Sequence, residues 1–122
     1  VIGENKKSMW EILVPTIKND GEPFETQYHK IWDECVRKIT NGLTIFSPAK
    51  GQWISPAGDL FFEKMIPTRI LATREEIEKI VDMTLEHYNQ KAVLAYKLGD
   101  DYILKYAPKE FCPVDLDVAK NI

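Results

Sequence analysis

The spacing of apolar residues changes along the chain, and those changes lay out its elements. Met9 to Pro15, MWEILVP, is almost continuously apolar, as suits a central strand covered on at least one face. Asn19-Asp20-Gly21 supplies turn chemistry, and Pro23 falls where a helix can begin, because its missing N–H costs nothing in a first turn. Phe24, Tyr28, Ile31, Trp32, Cys35, Val36 and Ile39 then step by 3, 4 or 1, one face of a 3.6-residue period. Arg37 and Lys38 suit the negative end of that helix, and Asn41-Gly42 offers a left-handed stop. Leu43 to Phe46 and Gln52 to Ile54 read as one bent strand. A turn at Ser55-Pro56-Ala57-Gly58 returns the chain into a strand from Leu60 to Ala72. Within that strand Pro67 calls for a bulge, or for different neighbours on either side of it.

Thr73-Arg74-Glu75-Glu76 has the form of a capping box, in which the Thr oxygen and the Glu side chain each satisfy an orphan N–H. The helix it opens carries Ile77, Ile80, Val81, Thr84, Leu85 and Tyr88 on one face and ends near Asn89. Ala92 to Lys97 reads as a strand, Leu98 to Asp101 as a turn, and Tyr102 to Tyr106 as an extra strand pairing back. From Ala107, two prolines and mixed charge suggest a tail that crosses the surface or reaches a neighbouring subunit. The order βαββαβ predicts an α+β, ferredoxin-like fold: one antiparallel sheet, two helices on one face and an appended C-terminal strand. The whole chain is expected to form a single domain, with its core over about residues 9–106 and the tail over 107–122.

Composition narrows the partners more than the chemistry. A formal charge of -3 leaves no overall positive field for nucleic-acid phosphates. No apolar run is long enough to span a bilayer, and Val1 to Ser8 is too polar for the apolar region of a signal peptide, so the expected setting is the cytoplasm. The sequence starts without Met, so a leader could have been removed earlier. Two cysteines, Cys35 and Cys112, make no disulfide framework or metal-ligand spacing, and Cys35 is assigned to the core.

Phosphate-loop, dinucleotide, zinc-protease and nucleophile-elbow patterns are all missing from the sequence, and no metal or cofactor is expected. Among the carboxylates, Glu63 is flanked by Phe61, Phe62 and Met65, where desolvation could make it a proton carrier; a strand with one wet face would instead leave it in water. Glu11, inside the apolar first strand, raises the same question. Gln90, just past the second helix, can satisfy backbone groups or meet a ligand. Trp53 with Phe61, Phe62 and Trp10 can line a pocket for a flat ligand, or serve as core or subunit interface. His29 and His87 stand far apart in sequence and read as helix-terminal or solvent-facing, and Asp100 and Asp101 as turn formers.

Asn19-Asp20-Gly21, Asn41-Gly42-Leu43-Thr44, Gly51-Gln52-Trp53, Gly58, Glu63 and Gln90-Lys91-Ala92-Val93 form an ordered series. It resembles a family of small uncharacterised bacterial proteins with the pattern DG, GLT, GQW, G, E and QxxV, over about residues 9 to 97. That resemblance implies the ferredoxin-like fold and no particular reaction. More distantly, Gln90 to Tyr96 and the element order are similar to phage S-adenosylmethionine lyases, themselves similar to trimeric PII-type proteins. That likeness implies a ligand between subunits and an important glutamate, for which Glu63 is the candidate. The chain departs from the PII pattern in having no recognisable nucleotide-binding loop.

Three functions therefore compete. The first is an oligomeric, non-enzymatic small-molecule-binding or regulatory domain that self-associates through its sheet edges. A lyase-type enzyme using Glu63 or Glu11 near an aromatic cleft is the second, and a protein-partner module using the tail is the third.

Overall fold

The computed structural model describes residues 6–107. Its elements run β1 (Lys7–Pro15), α1 (Thr26–Thr40), β2 (Thr44–Ile45), β3 (Ala49–Ile54), β4 (Leu60–Thr73), α2 (Arg74–His87) and β5 (Ala95–Gly99). The strands form one antiparallel sheet in the order β2-β4-β1-β5, with β3 also paired to β4. This is the α+β ferredoxin-like arrangement. The expected tail beyond Ala107, and Cys112 within it, lie outside the described residues.

Strand β4 organises the sheet. Its second half runs against the whole of β1, from Lys7 opposite Thr73 to Pro15 opposite Met65, without a register shift. Along its other edge the neighbour changes: β3 pairs up to Met65, and β2 takes over at Thr68. Pro67 sits in that gap. Its carbonyl accepts from the Phe46 N–H at 2.9 Å, so the amide hydrogen it lacks would have pointed to the edge where no strand donor is needed. Of the two expectations for Pro67, the change of neighbours is the one observed. The same interruption splits the expected bent strand into β2 and β3 at Phe46–Pro48.

Side-chain alternation assigns the two faces. Trp10, Ile12 and Val14 of β1 join Ile70 and Ala72 of β4, Trp32 and Val36 of α1, and Ile77 and Ile80 of α2 in one buried cluster closed by Tyr88. Both helices therefore cover the same face. The polar groups within this core are paired: Trp32 Nε1–H donates to Thr84 Oγ1 at 2.8 Å, and Trp10 Nε1–H to the Ala72 carbonyl at 3.2 Å.

Helix boundaries follow local chemistry, with one correction. α1 begins at Thr26, not at Pro23, because Pro23 is held in a bridge with Ile17 and the chain stays extended through Glu25. Asn41 itself takes the left-handed conformation, at φ 71°, and closes α1 by donating to the Arg37 carbonyl. Cys35, expected in the core, is half-buried and not part of the buried cluster. The capping box of α2 is complete, Thr73 Oγ1 accepting from the Glu76 N–H at 3.1 Å and Glu76 Oε1 from the Thr73 N–H at 2.9 Å. Thr73→Ala is expected to cost about 1 kcal/mol, read as a lower unfolding midpoint in urea with an unchanged slope.

The C-terminal part departs from expectation. β5 occupies Ala95–Gly99, and Tyr102 to Tyr106 forms no strand. β5 lies at the sheet edge against β1, Asp100 is tied back to Lys6 at 3.2 Å, and the following residues do not pair with the outer edge of β5; Ile103 is 92% exposed.

Candidate functional site

Among the described residues no helix covers the second face of the sheet, onto which Glu11 points. Glu11 stands directly opposite Arg69 of β4 on one side and Tyr96 of β5 on the other. Arg69 Nε–H donates to Glu11 Oε1 at 3.1 Å, and the Tyr96 hydroxyl donates to Oε2. Arg69 in turn lies 4.7 Å from the centre of the Phe46 ring. Arg69, Glu11 and Tyr96 thus cross the sheet at one level, with Phe46 beside Arg69 and Glu11 only 9% exposed. The Tyr96 hydrogen bond holds the Glu11 carboxyl below its ordinary value; Arg69 adds to this and burial opposes it. The same bond raises the Tyr96 phenol. This pattern describes a carboxylate held toward its ionised form by two donors.

Glu63 has different surroundings. It is exposed on the β3–β4 hairpin, opposite Gly51. It shares a face of β4 with Arg69, six residues away, or roughly 20 Å along a strand. The two candidate carboxylates are therefore not brought together. Gln90 sits in the connection from α2 to β5 and turns its amide onto the Tyr88 carbonyl at 3.0 Å.

The expected aromatic group divides. Trp53 and Phe61 face each other across the hairpin and stack, with ring centres 4.7 Å apart at 17°. Phe62 points to the opposite face, and Trp10 lies in the core. A single pocket lined by all four does not form, because Phe61 and Phe62 alternate and Trp10 belongs to the helix-covered side of β1. Beyond the ends of β1 and the helices, the hairpin is apolar on both faces: Trp53 and Phe61 on one, Ile54, Leu60 and Phe62 on the other, all exposed.

Sequence spacing hid a second cluster. His29 and His87 lie 58 residues apart in sequence, yet both reach Tyr88, because the start of α1 lies beside the end of α2. His29 Nδ1 is 2.8 Å from the Tyr88 hydroxyl, His87 Nε2 is 2.8 Å from the Tyr28 carbonyl, and Phe24 stacks edge-on to Tyr88. Among the described residues no three metal-ligating side chains converge. Burial lowers His29, with Asp33 opposing and His87 adding to the shift. Burial also raises Asp33 and Tyr88. Because the folded His29 binds its proton less readily than the unfolded one, its contribution to stability is present above about pH 6.5 and is lost as pH falls through the lower folded value. Asp33 acts in the opposite sense, and at lower pH. His29→Gln, which keeps a hydrogen-bonding side chain but cannot titrate, is expected to flatten the unfolding midpoint between pH 8 and pH 5. An unchanged slope would remove His29 as its source.

The sequence matches no protein-family model. It also matches none of the curated proteins. Similarity appears among solved structures. A phage SAM lyase in complex with S-methyl-5'-thioadenosine superposes with a TM-score of 0.60 at 12% identity, over 79% of this chain and 83% of that one. The divalent cation tolerance protein CutA1 from Thermus thermophilus gives 0.57 at 8% identity, over 85% and 89% of the two chains. CutA1 from Oryza sativa gives 0.56 at 8%, over 86% of each. At these identities the likeness is one of fold, and it agrees with the distant lyase and PII-like resemblance. The small bacterial family suggested by the DG, GLT, GQW and QxxV series finds no counterpart among these structures.

Arg69 and Tyr96 were not singled out from sequence. The available signal was Glu11 itself, since a carboxylate inside an apolar strand needs a cation or donor on a neighbouring strand. Naming those partners requires the register, which local spacing does not supply.

Proposed function

We propose that this chain is a small oligomeric domain that binds a small molecule in a regulatory role, assembling through the hairpin and edges of its sheet. The observation that carries this reading is the β3–β4 hairpin. Phe62 is 71% exposed, Ile54 69% and Leu60 54%, with Trp53 and Phe61 open on the reverse face. A two-stranded ribbon has little stability alone in water, and one that is apolar on both sides gains it when a neighbouring surface covers it. A second copy offers such a surface on its own helix-free face, where Met9, Leu13 and Leu71 flank the Glu11 row. Light scattering of the purified chain is the test. The expected mass is a multiple of 14.1 kDa, and a single 14.1 kDa species at every concentration would refute assembly.

A lyase-type enzyme is the second reading, favoured by the fold shared with the phage SAM lyase and by Glu63 lying on the hairpin two residues from the Trp53–Phe61 stack. In an assembly the hairpin would carry Glu63 to a subunit boundary. Incubation with S-adenosylmethionine tests this: breakdown that Glu63→Gln abolishes supports it, and breakdown unchanged by that variant removes Glu63. The partner-module reading depends on residues beyond Ala107. In the leading reading the chain is one domain working in the cytoplasm, which cell fractionation checks. Among the described residues, no helix is long and apolar enough to cross a membrane.

A further inference from the structure

At the end of the sheet away from the hairpin, β1 and α2 begin and β5 ends. There Lys6, Ser8, Trp10, Arg74, Lys97 and Asp100 surround a cavity of about 340 Å³. Trp10 and Arg74 also line a second cavity, of about 390 Å³, which continues between α2 and β5 along Ile77, Val81, Val93 and Ala95. The two cavities adjoin at Trp10 and Arg74, a charged one on one side and a more apolar one on the other, and the adjoining pair is called the groove.

The charged end is unbalanced. Its lining holds three cations and one carboxylate, on a chain whose formal charge is -3. Asp100 Oδ2 serves both lysines, at 3.2 Å from Lys6 Nζ and 3.9 Å from Lys97 Nζ. Arg74 is held over the Trp10 ring, 5.6 Å from its centre, and by Glu78 at 2.8 Å. Among the described residues, one carboxylate therefore serves two lysines. Ser8 lines the same cavity beside these cations. A serine hydroxyl both donates and accepts, so in this position it can donate to an anionic group entering the cavity. The positive end of the α2 dipole adds a field of the same sign.

We propose that this groove binds a small organic anion. Its carboxylate or phosphate head meets Ser8, Lys97 and Lys6, and its apolar body lies against Trp10 and the α2–β5 wall. Glu78 and Asp82 at the apolar end disfavour a second anionic group there, which restricts the ligand to one charged head. This inference rests on the ligand-binding part of the function proposed above and not on self-association.

The test is a titration of the full chain followed by amide and indole N–H resonances, using phenyl phosphate and phenylacetate as the two head groups and benzyl alcohol as the uncharged body. One or both anions are expected to shift Ser8, Arg74, Lys97 and the Trp10 indole saturably, the tighter of the two naming the head group, while benzyl alcohol does not. Lys97 is exposed, so Lys97→Gln should keep the fold and weaken binding about tenfold, as loss of a charge-assisted hydrogen bond implies. Asp100→Asn, which frees both lysines, should tighten it. Shifts that fail to saturate, or affinity unchanged in Lys97→Gln, would overturn the proposal. Saturable shifts centred on Trp53 and Phe61 would also overturn it, while leaving small-molecule binding itself standing.

Discussion

If the chain assembles through its hairpin as proposed, Phe62→Glu is expected to convert the assembly into monomers at micromolar concentration. Burying a phenylalanine side chain contributes roughly 1.5–3 kcal/mol, and a carboxylate in its place adds a desolvation penalty of its own. Each copy of the interface would thus weaken by well over tenfold, and a closed ring repeats the loss at every contact. Phe62 makes no part of the helix-covered core, so the monomer should keep its fold. Light scattering together with circular dichroism reads both consequences. Full assembly by Phe62→Glu would show that the hairpin is not the contact.

The second large effect concerns the Glu11 row. Glu11→Leu removes the acceptor for Tyr96 and for Arg69 and is expected to cost about 2 kcal/mol at pH 7. Two charge-assisted hydrogen bonds would suggest more, but half of the Arg69 side chain is in water and recovers part of the loss. The sign of the pH dependence follows from the lowered carboxyl. The stability Glu11 supplies is present above its unfolded value of 4.5 and is lost as pH falls through the lower folded value. The wild type and Glu11→Leu should therefore differ most near neutrality and converge in acid. Thermal midpoints from pH 7 to pH 3 check this, and a constant gap would mean that Glu11 acts through packing alone.

These expectations show where reading from sequence succeeds. The α2 boundary was legible at Thr73–Glu76 because a capping box is complete within four residues and needs no tertiary partner. Pro67 was legible as an irregularity, since a proline in a strand has few permitted places, but the choice between bulge and change of neighbour waited on the gap between β2 and β3. Tyr102 to Tyr106 misled because its alternation and apolar content satisfy the strand pattern, yet the segment does not pair with the open outer edge of β5. Glu11 was legible as unusual, but its partners lie 58 and 85 residues away. The meeting of His29 with Tyr88, and the placing of Ser8 and Lys97 on one cavity, were invisible for the same reason: each depends on which ends of the elements topology places together.

Amide hydrogen exchange of the hairpin in the wild type and in Phe62→Glu tests the proposed assembly most directly, because it reads the surface itself. If neighbouring copies cover β3 and the first half of β4, their amides in the wild type exchange slowly, like those of β1, and become fast in the variant. Fast exchange of Gly51–Ile54 and Leu60–Glu63 in the wild type at high concentration, no different from Phe62→Glu, would contradict assembly through the hairpin.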